Sequence, residues 1–252
     1  MLQFKNEPHT PRATSFDRYV TTFNRASRII VFLLFACVSL GACSSIAVDE
    51  NDPASVMADA ENEIKSYHYL LAVDKLRMIK NKFPYSSIAT DAQLRIADVY
   101  FLQESYIEAA ASYEAFKDLH PKHPKAEYAL FQMGRSYFKD IPSVTARDLA
   151  SAHHALEGYL HYLSLYPHGE YTPQAQQDVA EIHQLLADKE LLIGDFYFKR
   201  KLYEAARPRY EQVLKTYPGT QAAQRAQQKV DQIEKLSSQN PPKEPTRDDH
   251  SL

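Results

Sequence analysis

Glycine is scarce in this chain: six residues in 252, scattered singly. A loop that cradles phosphate through successive backbone N–H groups needs clustered glycines, so that class of nucleotide site is excluded. Neither a nucleophile elbow nor an HExxH helix is present. Cysteine is scarcer still, with only Cys37 and Cys43, so no disulfide framework is expected. A basic excess is missing as well. Lys and Arg number 29 against 32 Asp and Glu, a net charge of −3 that carries no footprint for nucleic acid. The longest apolar run, Ile29–Leu40, has twelve residues, whereas a membrane-spanning helix needs about 20.

What the chain does have is a recurring stop signal. Four times a helical stretch runs into a proline with an aromatic or His just before it: Phe83-Pro84, His120-Pro121, Tyr166-Pro167 and Tyr217-Pro218. Segments 97–121 and 194–218 align on their prolines without a gap. They share Asp98/Asp195, Tyr100/Tyr197, Phe101/Phe198, Tyr106/Tyr203, Ala109/Ala206, Tyr113/Tyr210 and Glu114/Glu211. Segment 60–84 repeats Ala60, Tyr69 and Ala72 at the same offsets. Segment 134–167 repeats Gly134, Tyr137, Ala155 and Tyr159 once nine extra residues near Lys139–Ala150 are allowed. The pattern resembles the tetratricopeptide repeat, a helix-turn-helix unit of about 34 residues. That resemblance implies an all-α superhelical solenoid of about four to five helical hairpins, whose usual work is to bind polypeptides.

The spacing has a physical reading. A small residue in each first helix (Ala60, Ala97, Gly134, Gly194) is expected to face a small one in the second (Ala72, Ala109, Ala155, Ala206). The helices can then approach to the short end of the ~8–10 Å interaxial range. Rings at Tyr100, Tyr113, Tyr137, Tyr159, Tyr197 and Tyr210 fill the seams, and each proline ends a second helix by disfavouring helical backbone in the residue before it. The hairpins fall at about 54–83, 90–120, 126–166 and up to 217. A separate helix is expected over 173–187, a long loop over 140–145, and a terminal helix over 221–236. The stripe Ala222, Ala226, Val230 and Ile233 in that last helix suits a cap with a wet outer face.

The first 28 residues carry five cations against Glu7 and Asp17, then the apolar run, then Leu40-Gly41-Ala42-Cys43-Ser44. A basic region, a short apolar run and small residues read as a secretory signal. Leucine, two small residues and cysteine resemble the bacterial lipobox, which implies cleavage before Cys43 and acylation of its sulfur and new amino group. Several acyl chains at ~0.8 kcal/mol per buried CH₂ make a stable anchor. Ser44 after the cysteine implies export to the outer membrane. The expected organisation is a signal peptide at 1–42, a lipidated tether at 43–56, the repeat domain at 57–236 and a disordered, proline-rich tail at 237–252. Without 1–42 the chain keeps 24 Lys and Arg against 30 Asp and Glu, a net charge of −6.

No catalytic constellation stands out, and no cofactor is expected. His154, Glu157 and His161 share one helix face, but their spacing lacks the pairing of known zinc motifs, so a polar face is the preferred reading and no metal is expected. In tetratricopeptide arrays the first helices line a concave groove. Mapping the chain onto the repeat places Asp98, Phe101, Tyr128, Phe131, Arg135, Phe138, Lys139 and Phe198 there, with Leu94 among their neighbours. Rings beside isolated cations suit an extended or amphipathic peptide, with Arg135 or Lys139 meeting a carboxylate.

Two stretches carry a narrower resemblance. One is Phe83-Pro84-Tyr85-Ser86 with Ala89, Ala92 and Gln93-Leu94. The other runs from Tyr166-Pro167 through Tyr171, Ala175, Leu186, Lys189-Glu190, Ile193-Gly194, Lys199-Arg200 and Ala205-Ala206. Behind a lipobox, they resemble the BamD family, lipoproteins of the outer-membrane β-barrel assembly machine. The resemblance implies a non-enzymatic scaffold at the periplasmic face of the outer membrane. Its implied partners are the machine's central barrel subunit and unfolded β-barrel clients. Family members carry five complete repeats, whereas here only Gln221–Leu236 follows the fourth hairpin. The alternative is another envelope tetratricopeptide adaptor, such as the Tol-Pal-associated cell-division coordinator, which has a coiled coil before its repeats and no lipobox.

Overall fold

Helix ends in this chain are set by local chemistry. The extended Asp52 accepts from the N–H groups of Ala54 and Ser55, and Pro53 occupies a first-turn position where no donor is needed. They open α1 (Pro53–Lys65). Seven more helices follow in order: α2 (Tyr69–Lys82), α3 (Ser87–Leu102), α4 (Tyr106–Leu119), α5 (Ala126–Lys139), α6 (Ala150–Leu165), α7 (Thr172–Lys199) and α8 (Tyr203–Thr216). The last is α9 (Gln221–Gln239). The computed structural model describes residues 48–143 and 148–239, and among these every regular element is a helix. Cys43, the signal and most of the tether and tail lie outside the described residues. Met1–Val48 separates as its own unit, and the helices all belong to the second.

Each helix packs against the next along the chain, as in an array of hairpins. The four pre-proline residues behave alike. Phe83, His120, Tyr166 and Tyr217 end α2, α4, α6 and α8 with φ between −127° and −130° and ψ between 52° and 63°. Proline has forced one and the same exit from the helix four times.

The short turns inside the first, second and fourth hairpins are equally uniform, and they use no glycine. Tyr67, Glu104 and Lys201, each 17 residues before a repeat proline, have φ of 61–63°. Each sits just past a helix end, where its N–H and the next one bond back to the last turn (Tyr67 to Ile64, His68 to Glu63; Glu104 to Phe101, Ser105 to Tyr100). This is the Schellman arrangement, which normally favours glycine. Glu104 is exposed, so Glu104→Gly should relieve about 1 kcal/mol of left-handed strain and raise Tm by roughly 2–4 °C in thermal unfolding.

Two expected boundaries move. The tether was expected to run to residue 56, but Asp52 and Pro53 start α1 four residues earlier. At the other end, α9 runs past 236 to Gln239. The separate helix expected over 173–187 is instead the first half of α7, 28 residues without a break. The physical reason is that Leu185–Ile193 contains neither glycine nor proline and is built mostly of helix formers. One half of α7 packs on α6 and the other on α8, so one helix serves two hairpins.

The core lies where the small residues were aligned: Ala60, Ala72, Ala97, Ala109, Ala155 and Ala206 have no exposed surface. At Gly134 a small residue does face a small one, since a Cβ added at Gly158 would meet Gly134 Cα at 3.1 Å, although the partner is Gly158 and not Ala155. A Cβ added at Gly134 would meet the Tyr159 ring at 3.0 Å, and one at Gly194 would meet the Tyr210 ring at 2.6 Å. The small residue therefore sits under the tyrosine of the second helix. Tyr113, Tyr159 and Tyr210 are fully buried, whereas Tyr100, Tyr137 and Tyr197 keep partial exposure at the edges.

Candidate peptide-binding groove

The buried tyrosines hold carboxylates of the first helices in place. Tyr113 and Tyr128 both donate to Asp98 Oδ1, at 2.7 and 2.9 Å, and Arg95 approaches Oδ2 at 3.4 Å. Tyr210 donates to Asp195 at 2.8 Å, at the same fifteen-residue offset as Tyr113 and Asp98. In the third hairpin the aligned position is Arg135, so Tyr159 turns to Asp178 of α7 instead, at 2.6 Å. Burial, reinforced by these carboxylates, pushes the phenols of Tyr113, Tyr159 and Tyr210 up from their ordinary range.

Above this layer three hollows follow one another. The first, about 390 Å³, lies between Asp98, Tyr128, Glu127 and Tyr171. The second, about 330 Å³, shares Tyr171 and is walled by Phe131, Gln132, Arg135, Phe138, Lys139, Gln174 and Asp178. The third, about 430 Å³, shares Phe138 and Lys139 and adds Ile141, Pro142, Glu181, Ile182, Leu185 and Asp188. Shared residues link them into one trough, polar at its Asp98 end, where Lys125, Glu127 and Glu170 stand, and more apolar toward Ile141 and Leu185, with Arg135 and Lys139 at its middle.

Of the sequence-derived residues, Asp98, Tyr128, Phe131, Arg135, Phe138 and Lys139 line this trough. Phe131 is 3% exposed and stacks on Tyr171 at 4.6 Å, so it is a fixed wall and not an open ring. Leu94 is likewise core, at 2%. Phe101 stands beside it, holding the Arg135 guanidinium 5.4 Å from its ring centre. Phe198 is not brought to the trough. It packs in the C-terminal cluster against Tyr203 and Tyr210, with Lys229 over its ring at 4.2 Å.

The opposite wall escaped the sequence reading. Gln174, Asp178, Glu181, Leu185 and Asp188 recur along α7 at alternating steps of four and three, which is one helix face. That periodicity was the available signal. His154, Glu157 and His161 are exposed, with His154 resting 5.1 Å from the Tyr137 ring. Among the described residues no group of three or more His, Cys, Asp or Glu is arranged to hold a metal ion, and no helix is long and apolar enough to cross a membrane.

An array of stacked helical hairpins with a trough along its first helices is a tetratricopeptide-type solenoid. The family model YfiO, outer membrane lipoprotein, matches residues 49–247, and the chain belongs to that family. It is similar to proteins named outer membrane protein assembly factor BamD. The one from Vibrio cholerae is 27% identical over 203 residues, covering 77% of this chain and 83% of the relative. The one from Neisseria gonorrhoeae is 27% identical over 198 residues, covering 74% of each. The one from Rickettsia prowazekii is 27% identical over 200 residues, covering 78% and 79%. A solved kinesin light chain structure with TPR-like repeats, from Podosopora anserina, matches with a TM-score of 0.42 at 15% identity, covering 75% of this chain and 96% of that one.

Proposed function

We propose that this chain is a lipid-anchored scaffold for assembling β-barrel proteins into the outer membrane, held at the periplasmic face through Cys43 and catalysing no reaction of its own. The family, the assembly-factor relatives and the lipobox support the place of work. The single observation that carries the mode of work is the continuous trough from Asp98 to Asp188. An extended segment with apolar side chains fits the hollows walled by Phe131, Phe138, Ile141 and Leu185, and its carboxylate fits Arg135 and Lys139 beside them. The central barrel subunit is assigned to the C-terminal hairpins, at the other end of the stack.

The test is depletion of the protein with rescue by variants, reading the levels of assembled outer-membrane barrels. Depletion should lower them, and wild-type chain should restore them. Arg135→Gln with Lys139→Gln should restore them poorly while the thermal transition stays within about 0.5–1 kcal/mol of wild type. Glutamine is preferred to glutamate because the buried Asp178 shares the hollow with Arg135. Full rescue by the double variant would remove the groove assignment; barrel levels indifferent to depletion would remove the function.

A further inference from the structure

The turns between hairpins line one edge of the array, and that edge exposes large apolar side chains. Tyr85 is fully exposed, at 102%, Leu119 is 67% exposed and Leu165 is 55% exposed, each within two residues of a repeat proline. These turns are neighbours. Lys125 reaches Asp91 near the start of α3, and Glu127 beside the second turn accepts from Tyr162 and from the N–H of Glu170 in the third. The chain also enters the array at this edge, because Lys82, next to the first turn, donates to the Glu50 carbonyl at 2.8 Å and to Asn51 Oδ1 at 2.9 Å.

We propose that this edge rests on the lipid surface of the membrane that holds the anchor, with Tyr85 at headgroup level and Leu119 and Leu165 beside it. The inference depends on the reading of Cys43 as the lipid attachment. From Cys43 to Asp49 there are six residue steps, which fully extended reach at most roughly 20–22 Å. The edge where Asp49 enters therefore stays within that distance of the bilayer. The opposite edge, with Tyr67 and Leu70, is farther by the length of α1, thirteen residues or about 20 Å. It could meet lipid only if the tether were stretched along the whole helix.

Charge supports an apolar contact rather than an electrostatic one. The edge carries both signs: Lys117 pairs with Asp118 at 2.6 Å and Lys125 faces Asp91 at 3.9 Å, while Lys80, Lys82 and Lys122 stand at the same turns and Asp49, Glu50 and Asp52 lie at the entry. A nearly balanced edge is drawn to a bilayer by rings and leucines, and tyrosine favours the headgroup level because one end of it is apolar and the other wet. The individual attraction is small. The tether makes it intramolecular, at an effective concentration on the order of millimolar, so a small attraction suffices.

The chain contains no tryptophan, so Tyr85→Trp and Tyr67→Trp each supply a single fluorescent reporter at an exposed position. The lipidated full-length protein is reconstituted into phosphatidylcholine vesicles with brominated acyl chains, and attachment is checked by flotation. Tyr85→Trp emission should shift to the blue and be quenched at least ~2-fold more than that of Tyr67→Trp, as expected for an aromatic at headgroup level. Raising the salt concentration should leave the quenching unchanged. Attached protein with Tyr85→Trp unquenched, or with Tyr67→Trp quenched instead, overturns the edge assignment and leaves the anchor standing. Protein that does not float removes the anchor, and the edge assignment with it. A blue shift that appears without vesicles and grows with protein concentration assigns the edge to a second copy of the chain and overturns the proposal.

Discussion

Tyr113→Ala should destabilise the array by about 3–5 kcal/mol, the range for deleting a large buried ring. The ring has no exposed surface, lies in the largest core cluster and meets Tyr128 edge-on at 6.1 Å. Its hydroxyl is a separate contribution. Tyr113→Phe keeps the ring and removes one of three donors to Asp98, which should cost about 1.5–3 kcal/mol, the range for hydrogen bonds to charged groups. Thermal unfolding followed by circular dichroism reads both. The phenols add a pH signature. Tyr113, Tyr159 and Tyr210 hold their protons more tightly folded than unfolded. Their contribution is therefore complete below the unfolded value of about 10 and is lost as pH rises above it. Stability should accordingly fall less steeply above pH about 10 in Tyr113→Phe than in the wild type, because one of the titrating phenols is gone.

The hairpin plan was legible because it depends on short-range chemistry repeated in register. Phe83-Pro84, His120-Pro121, Tyr166-Pro167 and Tyr217-Pro218 mark helix ends by local sterics, and all four adopt one backbone geometry. Buried alanines at fixed offsets mark the crossings for the same reason. The expectation for α7 fails where the repeat would begin a unit afresh after Ala187. Repeat periodicity says where a unit lies, but only a glycine, a proline or a cap says that the backbone stops, and none stands there.

The trough was legible on one wall alone. Its first-helix residues follow from the repeat, so Asp98, Tyr128, Arg135, Phe138 and Lys139 could be placed in advance. Whether a ring is wall or opening depends on what packs behind it, and Tyr171, forty residues away from Phe131, decides that for Phe131. Phe198 aligned with Phe101 equally well, yet Lys229 of α9 covers it. Such differences come from neighbours distant in sequence, which an alignment of repeats treats as equivalent.

Gly194→Ala should destabilise by about 1–3 kcal/mol, the usual cost of overpacking, against the intrinsic trend. In a helix interior alanine is favoured over glycine by about 1 kcal/mol, so an exposed site would gain. Here the new methyl would stand 2.6 Å from Tyr210 Cε1, and the ring is fully buried with its hydroxyl held by Asp195. The second repeat shows that the crossing can be built with a methyl, since Ala97 occupies the aligned position opposite Tyr113, and both are fully buried. The fourth hairpin is closed further, and the cost is the work of reopening it. Two results follow. Gly134→Ala should cost less than Gly194→Ala, because the Tyr159 ring stands off at 3.0 Å. In a Tyr210→Leu background, where the ring is gone, Gly194→Ala should become neutral or stabilising, giving a coupling of about 0.5–3 kcal/mol in the double-mutant cycle. Additive effects in that cycle would mean that Gly194 is kept for its own backbone and not for the tyrosine above it.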